Sequence, residues 1–527
     1  MEMKTLLLAL ALLAAPASQE KDKETLQLSR MLLARLPKDL PETEVAVSAD
    51  GKAAAFLAPP ERTRVELNNK PGAAYTSISR LAVLADGRPV YSAAKGRKYV
   101  IVVGDQEGPE SDSPLEFTVG PGGRSVAYMM PFAGERRAMV IDGKPGELYV
   151  TMGVPLFSPD GTRVAYLAEK PGNKKTVVVL EGTESPEYAT VAALAFSPEG
   201  SKLVYAASEG KGQFVVTDFR RGDLCDGVDS LSVGPEGKNV VYVSLNGQKR
   251  SVVVNGKAGK PVEELRSLCL SADRGVVAYI AAQDGKRWVV AGEKEMPPFP
   301  GVDHLVLSAD GRTAAYVIRE GGKMIVVTND TKGPPYAEVG PPVVSADGST
   351  VAYAATADPG KKMHVVVNGV KGPVYERVER PVIAAKANVV AYRAVAARKA
   401  FVVVGKEKQE DFIEVDDPVL SPDGSRVAYR AHDSDGKHVV IGKKRGEPLQ
   451  EVESVAFTPG GKVVYARVRV NNAPAVVIEG TLHTGPKEGA FLWIGPITSS
   501  RNGGKIAFPA VEKTKGAWRE LWWEVYP

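Results

Sequence analysis

The chain predicts an all-β fold, tandem β-propellers of four-stranded blades, on three observations. A nine-residue block reading Ser-Pro-Asp-Gly-x-x-Val-Ala-Tyr recurs about thirteen times, with its clearest copies at 158–166, 197–205, 308–316, 345–353 and 421–429. Its closing aromatic falls at Phe56, Tyr91, Tyr128, Tyr166, Tyr205, Tyr242, Tyr279, Tyr316, Tyr353, Tyr392, Tyr429, Tyr465 and Phe508, a period near 37 residues. Within each period the apolar runs are short, rich in Val, Ile and Tyr, and free of helical spacing, as stacked sheets require.

The copy at 154–194 shows the elements in order. Residues 155–158 form a first apolar run, and Pro159-Asp160-Gly161-Thr162 a turn in which Gly161 can take a positive φ. Residues 163–168 make a second strand centred on Tyr166, 169–173 a polar loop, 176–180 a β-branched third strand, and 188–191 a fourth. Four antiparallel strands in about 37 residues make one propeller blade. Runs such as Val177-Val178-Val179 and Val402-Val403-Val404 are apolar on both faces, as strands sandwiched between neighbouring sheets must be. Asp-Gly between apolar strands is a hairpin signal, so the repeated aspartates Asp50, Asp160, Asp273, Asp310, Asp347 and Asp423 are assigned to turns.

Propellers usually hold about four to eight blades. The thirteen copies are therefore expected to divide into a first ring of about six blades at 39–265 and a second of about seven at 266–527. The last copy supplies only three strands, so a segment ahead of each ring is expected to close it, around Leu40–Val45 and Val262–Leu265. Residues 1–17 read as a cleaved signal peptide: Lys4, an apolar run at 5–15, and Ala15-Pro16-Ala17. The expected location is periplasmic or extracellular, with no membrane span in the mature chain. Within 18–38, the spacing of apolar residues at 23–36 predicts a short amphipathic helix.

Net charge is +4, from 67 basic and 63 acidic residues mixed throughout, which argues against a nucleic-acid partner. Cys225 and Cys269 lie in adjacent blades, and the spacing leaves open whether they are bonded. The five histidines, His304, His364, His432, His438 and His483, form no metal-ligand spacing, and there is no Gly-x-Ser-x-Gly elbow or phosphate loop. No cofactor and no catalytic residue is assigned. Asp433-Ser434-Asp435-Gly436 lacks the later bidentate Glu of a calcium loop and reads as a hairpin tip, and Arg221-Gly222-Asp223 as a blade turn.

One polar column stands out. Ahead of the first strand of several blades sit Asp229, Asp303, Glu379, Asp416 and Glu453, thirteen residues before the aromatic or one fewer. If that strand is innermost, the five face the mouth of the central channel, where they would draw a cation, a basic peptide or a basic protein surface. A second candidate is the tryptophan group Trp493, Trp518, Trp522 and Trp523, where an aromatic platform for glycan or peptide is weighed against core packing.

The repeat Ser-Pro-Asp-Gly-x-x-Val-Ala-Tyr resembles that of the TolB-like, or WD-like, β-propeller repeat family, over nearly the whole chain after residue 44. The second block, Val-Val-Val-x-Gly-x-x-Gly-Pro-x-Tyr at 365–375, is similar to a variety of these repeats in secreted bacterial proteins. The resemblance implies an envelope protein that binds other proteins. The expected function is thus a non-enzymatic scaffold for a protein partner. The alternatives are glycan, peptide or cation binding at the same mouth, or a funnel-site hydrolase or lyase using paired carboxylates.

Overall fold

The computed structural model describes residues 29–38, 40–41, 44–59, 61–172, 174–485, 491–499, 504–513 and 518–526; the signal-peptide segment lies outside them. They form thirteen antiparallel sheets, each with a four-strand path; in twelve of them the strands pair in chain order, and in the last the strand at 29–37 joins from the other end of the chain. Numbered in chain order, blades 1 to 6 span 45–74, 77–107, 117–145, 151–184, 190–221 and 227–258. Blades 7 to 12 span 264–295, 302–336, 338–375, 377–408, 414–445 and 451–483, and blade 13 spans 491–526.

The repeat is legible as packing. Where the turn keeps its aspartate, the serine donates to that aspartate and accepts a backbone N–H from across the turn. Ser158 Oγ lies 2.6 Å from Asp160 Oδ1 and 2.9 Å from Arg163 N, and Ser308 and Ser345 repeat the arrangement. These serines are buried, so their hydroxyls are satisfied within the turn. The closing Tyr stacks edge-on against the aromatic that ends the preceding connection: Tyr75 on Tyr91, Tyr149 on Tyr166, Tyr336 on Tyr353 and Phe412 on Tyr429, with centroids 5.9 to 6.4 Å apart. The glycine of the second block makes room for that ring. A Cβ on Gly108 would stand 2.5 Å from the Tyr128 hydroxyl of the next blade.

Thirteen buried apolar clusters join the blades, and each is shared by two that follow one another. Blades 6 and 7 share Val241, Val252, Val262, Val277 and Tyr279, so the core runs unbroken across residue 265. Blade 13 packs on blade 1 through Leu521, Trp523, Ala54 and Phe56. The four-stranded propeller fold is as expected, but in place of six plus seven blades there is one ring of thirteen. Every sheet buries both faces against its chain neighbours, which leaves no free face at which a second ring could begin.

Ring closure corrects a second expectation. Of the helix expected at 23–36, residues 23–28 lie outside the described residues, and Ser29–Pro37 is a strand that pairs antiparallel with Trp518–Tyr526 as the fourth strand of blade 13. A bulge between Leu32 and Ala34 breaks the alternation. Leu33, Ala34 and Leu36 are buried, while Met31 and Leu32 are 42 and 40% exposed. Closure therefore comes from 29–37 rather than from Leu40–Val45 or Val262–Leu265. Arg30 on the same strand bridges the buried carboxylates of Glu512 and Glu524 and lies 4.4 Å from the ring centre of Trp522.

Candidate functional site

The first strand of each blade is the inner one, since the first strands of successive blades touch one another around the axis. In blades 2, 5, 6, 7 and 8 this strand is interrupted by a bulge with a non-glycine residue in the left-handed region: Arg80, Ala193, Ser230, Ser267 and His304, with φ between 48° and 55°. In blades 4, 9, 10 and 11 a proline, Pro155, Pro342, Pro381 or Pro418, splits the strand at the same point. Left-handed conformations at such residues cost of order 1–3 kcal/mol each and persist only where the surroundings impose them. A bulge of this kind re-aims the side chains beside it.

All five carboxylates of the acidic column lie on this wall. Asp229, Asp303 and Glu453 sit within the inner strands, beside the bulge, rather than in the loops ahead of them. Glu379 and Asp416 follow the short first segments of blades 10 and 11. Asp303 is exposed, and so is Asp229, which accepts from Ser230 N at 2.7 Å. The other three are paired: Glu379 with Arg377 at 3.0 Å, Asp416 with Arg430 at 2.7 Å, and Glu453 with Arg469 at 3.0 Å and Arg467 at 3.7 Å.

Those pairs expose a column that reading the acidic residues alone misses. Arg393, Arg430 and Arg467 are spaced 37 residues apart, one residue after the repeat aromatic in blades 10 and 11 and two after it in blade 12. Two of them reach across to the next blade: Arg430 Nη1 donates to Val452 O at 2.8 Å, and Arg467 Nη2 to Ile494 O at 3.0 Å. Blades 10 to 12 thus carry an acid–arginine ladder along the channel, while blades 6 and 8 present their carboxylates to solvent. The spacing of 37 was the signal that could have found it. Lys437 and Arg430 surround Glu451, and the Lys437 ammonium holds that carboxyl below its usual range despite some desolvation. A recess of about 470 Å³ across blades 7 to 10 is bordered by Leu270, Leu307, Val344 and Ile383 together with Ser271, Arg274 and Ser345.

The remaining candidates resolve into packing. Trp523 is 8% exposed within the core between blades 13 and 1, where its ring lies against Gly51; a Cβ on that glycine would come within 2.1 Å. Trp493 packs on the same cluster, Trp522 lies under Arg30, and the Trp518 side chain is outside the described residues. Asp433 pairs with Gly436 across a hairpin tip, where Arg445 contacts Asp433 and Asp435. Arg221 lies 4.0 Å from the centre of the Phe214 ring, on the outer strand of blade 5. Cys225 and Cys269 are both free thiols, and burial raises their pKa values. Among the described residues no three His, Cys, Asp or Glu side chains gather where they could hold a metal ion, and no helix is long and apolar enough to cross a membrane.

No family model and no curated protein matches the chain. Solved structures with similar parts include a eukaryotic initiation factor, 11% identical, covering 60% of this chain and 94% of its own, with a TM-score of 0.30. The β-propeller domain of the Trilobed protease from Pyrococcus furiosus is 11% identical, covering 56% of this chain and 95% of its own at a TM-score of 0.25. TolB from Acinetobacter baumannii is 16% identical, covering 48% of this chain and 76% of its own at a TM-score of 0.20.

Proposed function

We propose that this chain is a secreted or periplasmic scaffold with TolB-like repeats that binds a protein partner along the inner wall of its ring. The observation that carries this reading is the wall itself: bulged inner strands over successive blades, exposed carboxylates at Asp229 and Asp303, and an acid–arginine ladder beside them. Charges spread over many blades match a broad surface, and electrostatic complementarity at that scale gives specificity and a faster association rate. Glu379, Asp416 and Glu453 are engaged by arginines, which suits recognition better than proton transfer. Arginine is also enriched at protein interfaces.

The test is a crosslinked capture from envelope and secreted fractions with the chain from Ser18 onward as bait, followed by reconstitution with the purified partner. The triple variant Asp229→Asn, Asp303→Asn, Asp416→Asn is expected to weaken that partner at least tenfold. Unchanged affinity would remove the inner wall from the account, and no partner in either fraction would remove the scaffold reading.

A further inference from the structure

Blade 9, like blade 4, has a long loop between its second and third strands. In blade 9 it runs from 357 to 362, where blades 8 and 10 turn in two residues. Just beyond it stands His364, at the third-strand position that pairs with the second residue after the aromatic. The same position holds Phe214, Trp288, Ile325 and Phe401 in other blades, all packing residues. His438 of blade 11 also occupies it, and there both ring nitrogens have partners, Gly446 O and the Asp435 carboxylate at 3.0 Å each. His364 differs. It is 2% exposed, its ring packs on Tyr336 at 5.2 Å, and its Nε2 is buried with no hydrogen-bond partner.

An orphaned buried nitrogen normally costs stability. The His364 side chain borders a recess of about 580 Å³ lined also by Asp358, Lys361, Lys362, Lys371 and Glu376. Three of those charges are already engaged. Lys361 pairs with Asp358 at 3.3 Å, and the Glu376 carboxylate accepts from Ala397 N at 2.9 Å. Lys362 and Lys371 are left facing the recess with the imidazole.

We propose that this recess in blade 9 is a binding site for a small oxyanion, a phosphate or carboxylate group, held by His364 Nε2–H with Lys362 and Lys371. The chemistry is complementary at each point: a donor that lacks an acceptor, two ammonium groups, and a cavity open to ligand. Burial and the nearby Lys371 charge both lower the His364 pKa, which leaves a neutral ring able to place its one N–H on Nε2. The site lies on the outer part of the blade, away from the inner wall, so it stands or falls separately from the partner-binding reading.

The chain has five histidines, so the imidazole nitrogen resonances of uniformly folded, ¹⁵N-histidine-labelled full chain are few enough to follow. His364→Phe, which installs the residue present at this position in blades 5 and 10, assigns the His364 signals. Titration with inorganic phosphate, and separately with acetate, is expected to move those signals in a saturable way and leave those of His438 in place. Lys362→Gln with Lys371→Gln should weaken the fitted affinity at least tenfold. Saturation by phosphate alone identifies a phosphate-type ligand, and saturation by both a general oxyanion site. No saturable shift with either anion, or an affinity unchanged by the lysine variants, refutes the proposal. The lysine pair is exposed, so those variants keep the test valid even if His364→Phe fails to fold.

Discussion

Leu36→Ala is the sharpest probe of how the ring closes. Leu36 is fully buried between blade 13 and blade 1, against Leu521, Ala54 and Phe56. Truncating a buried Leu costs about 2–5 kcal/mol. At about 3 kcal/mol, and a tenfold change per 1.4 kcal/mol, opening of this seam becomes on the order of 100-fold more frequent. Hydrogen exchange followed by mass spectrometry reads this locally, which matters because thirteen stacked sheets need not unfold as one unit. Peptides covering 518–526 and 45–57 are expected to exchange on the order of 100-fold faster, while those of blades 6 and 7 keep the wild-type rate. Leu32→Ala is the control. Leu32 is 40% exposed, so its loss should cost within about 0.5 kcal/mol. In a helix Leu32 and Leu36 would share one face and the two substitutions would act alike. Equal effects, or no effect of Leu36→Ala on 518–526, would refute the closing strand.

Other consequences can be checked with simple variants. Gly108→Ala should destabilise by about 1–3 kcal/mol through overpacking against the Tyr128 hydroxyl, and Tyr128→Phe should recover part of that loss in a denaturant melt. Failure of the second change to rescue the first would mean that the hydroxyl contact is not the cause. The Ser158 and Thr162 hydroxyls pull the Asp160 carboxyl down to about 2, and serine hydroxyls lower Asp273, Asp310, Asp347 and Asp423 in the same way. A depressed folded pKa contributes stability that is complete above the ordinary carboxylate range near 4 and is lost as pH falls toward about 2. Melting temperature should therefore drop across that window, and less steeply in Asp160→Asn; a slope unchanged by the substitution would contradict the turn assignment. Thiol titration in denaturant without reductant should count two free cysteines, and a count of zero would show a Cys225–Cys269 bond.

The blade was legible because its constraints are local. The Ser-x-Asp-Gly turn closes on its own hydrogen bonds, and Val-rich strands buried on both faces carry no polar alternation to blur them. The closing strand was misread for a physical reason. The bulge after Leu32 buries Leu33, Ala34 and Leu36 together, a spacing that imitates a helix face and hides the period of two. Ring size depends on the small rotation between successive sheets, which no residue pattern states. At the inner wall the carboxylates were visible as a column. Their arginine partners were not, because Arg430 and Arg467 belong to the next strand and act across blade boundaries. His364 looked like a packing residue because most of its neighbours in that column are; only the missing partner at Nε2 separates it from His438.

The most direct measurement is cryo-electron microscopy of the purified chain, with class averages viewed down the ring axis. One closed ring of thirteen blades, with the density of 29–37 paired to 518–526, is the predicted result. Two separate rings divided near residue 265, or an open arc with blade 13 unpaired, would contradict the account.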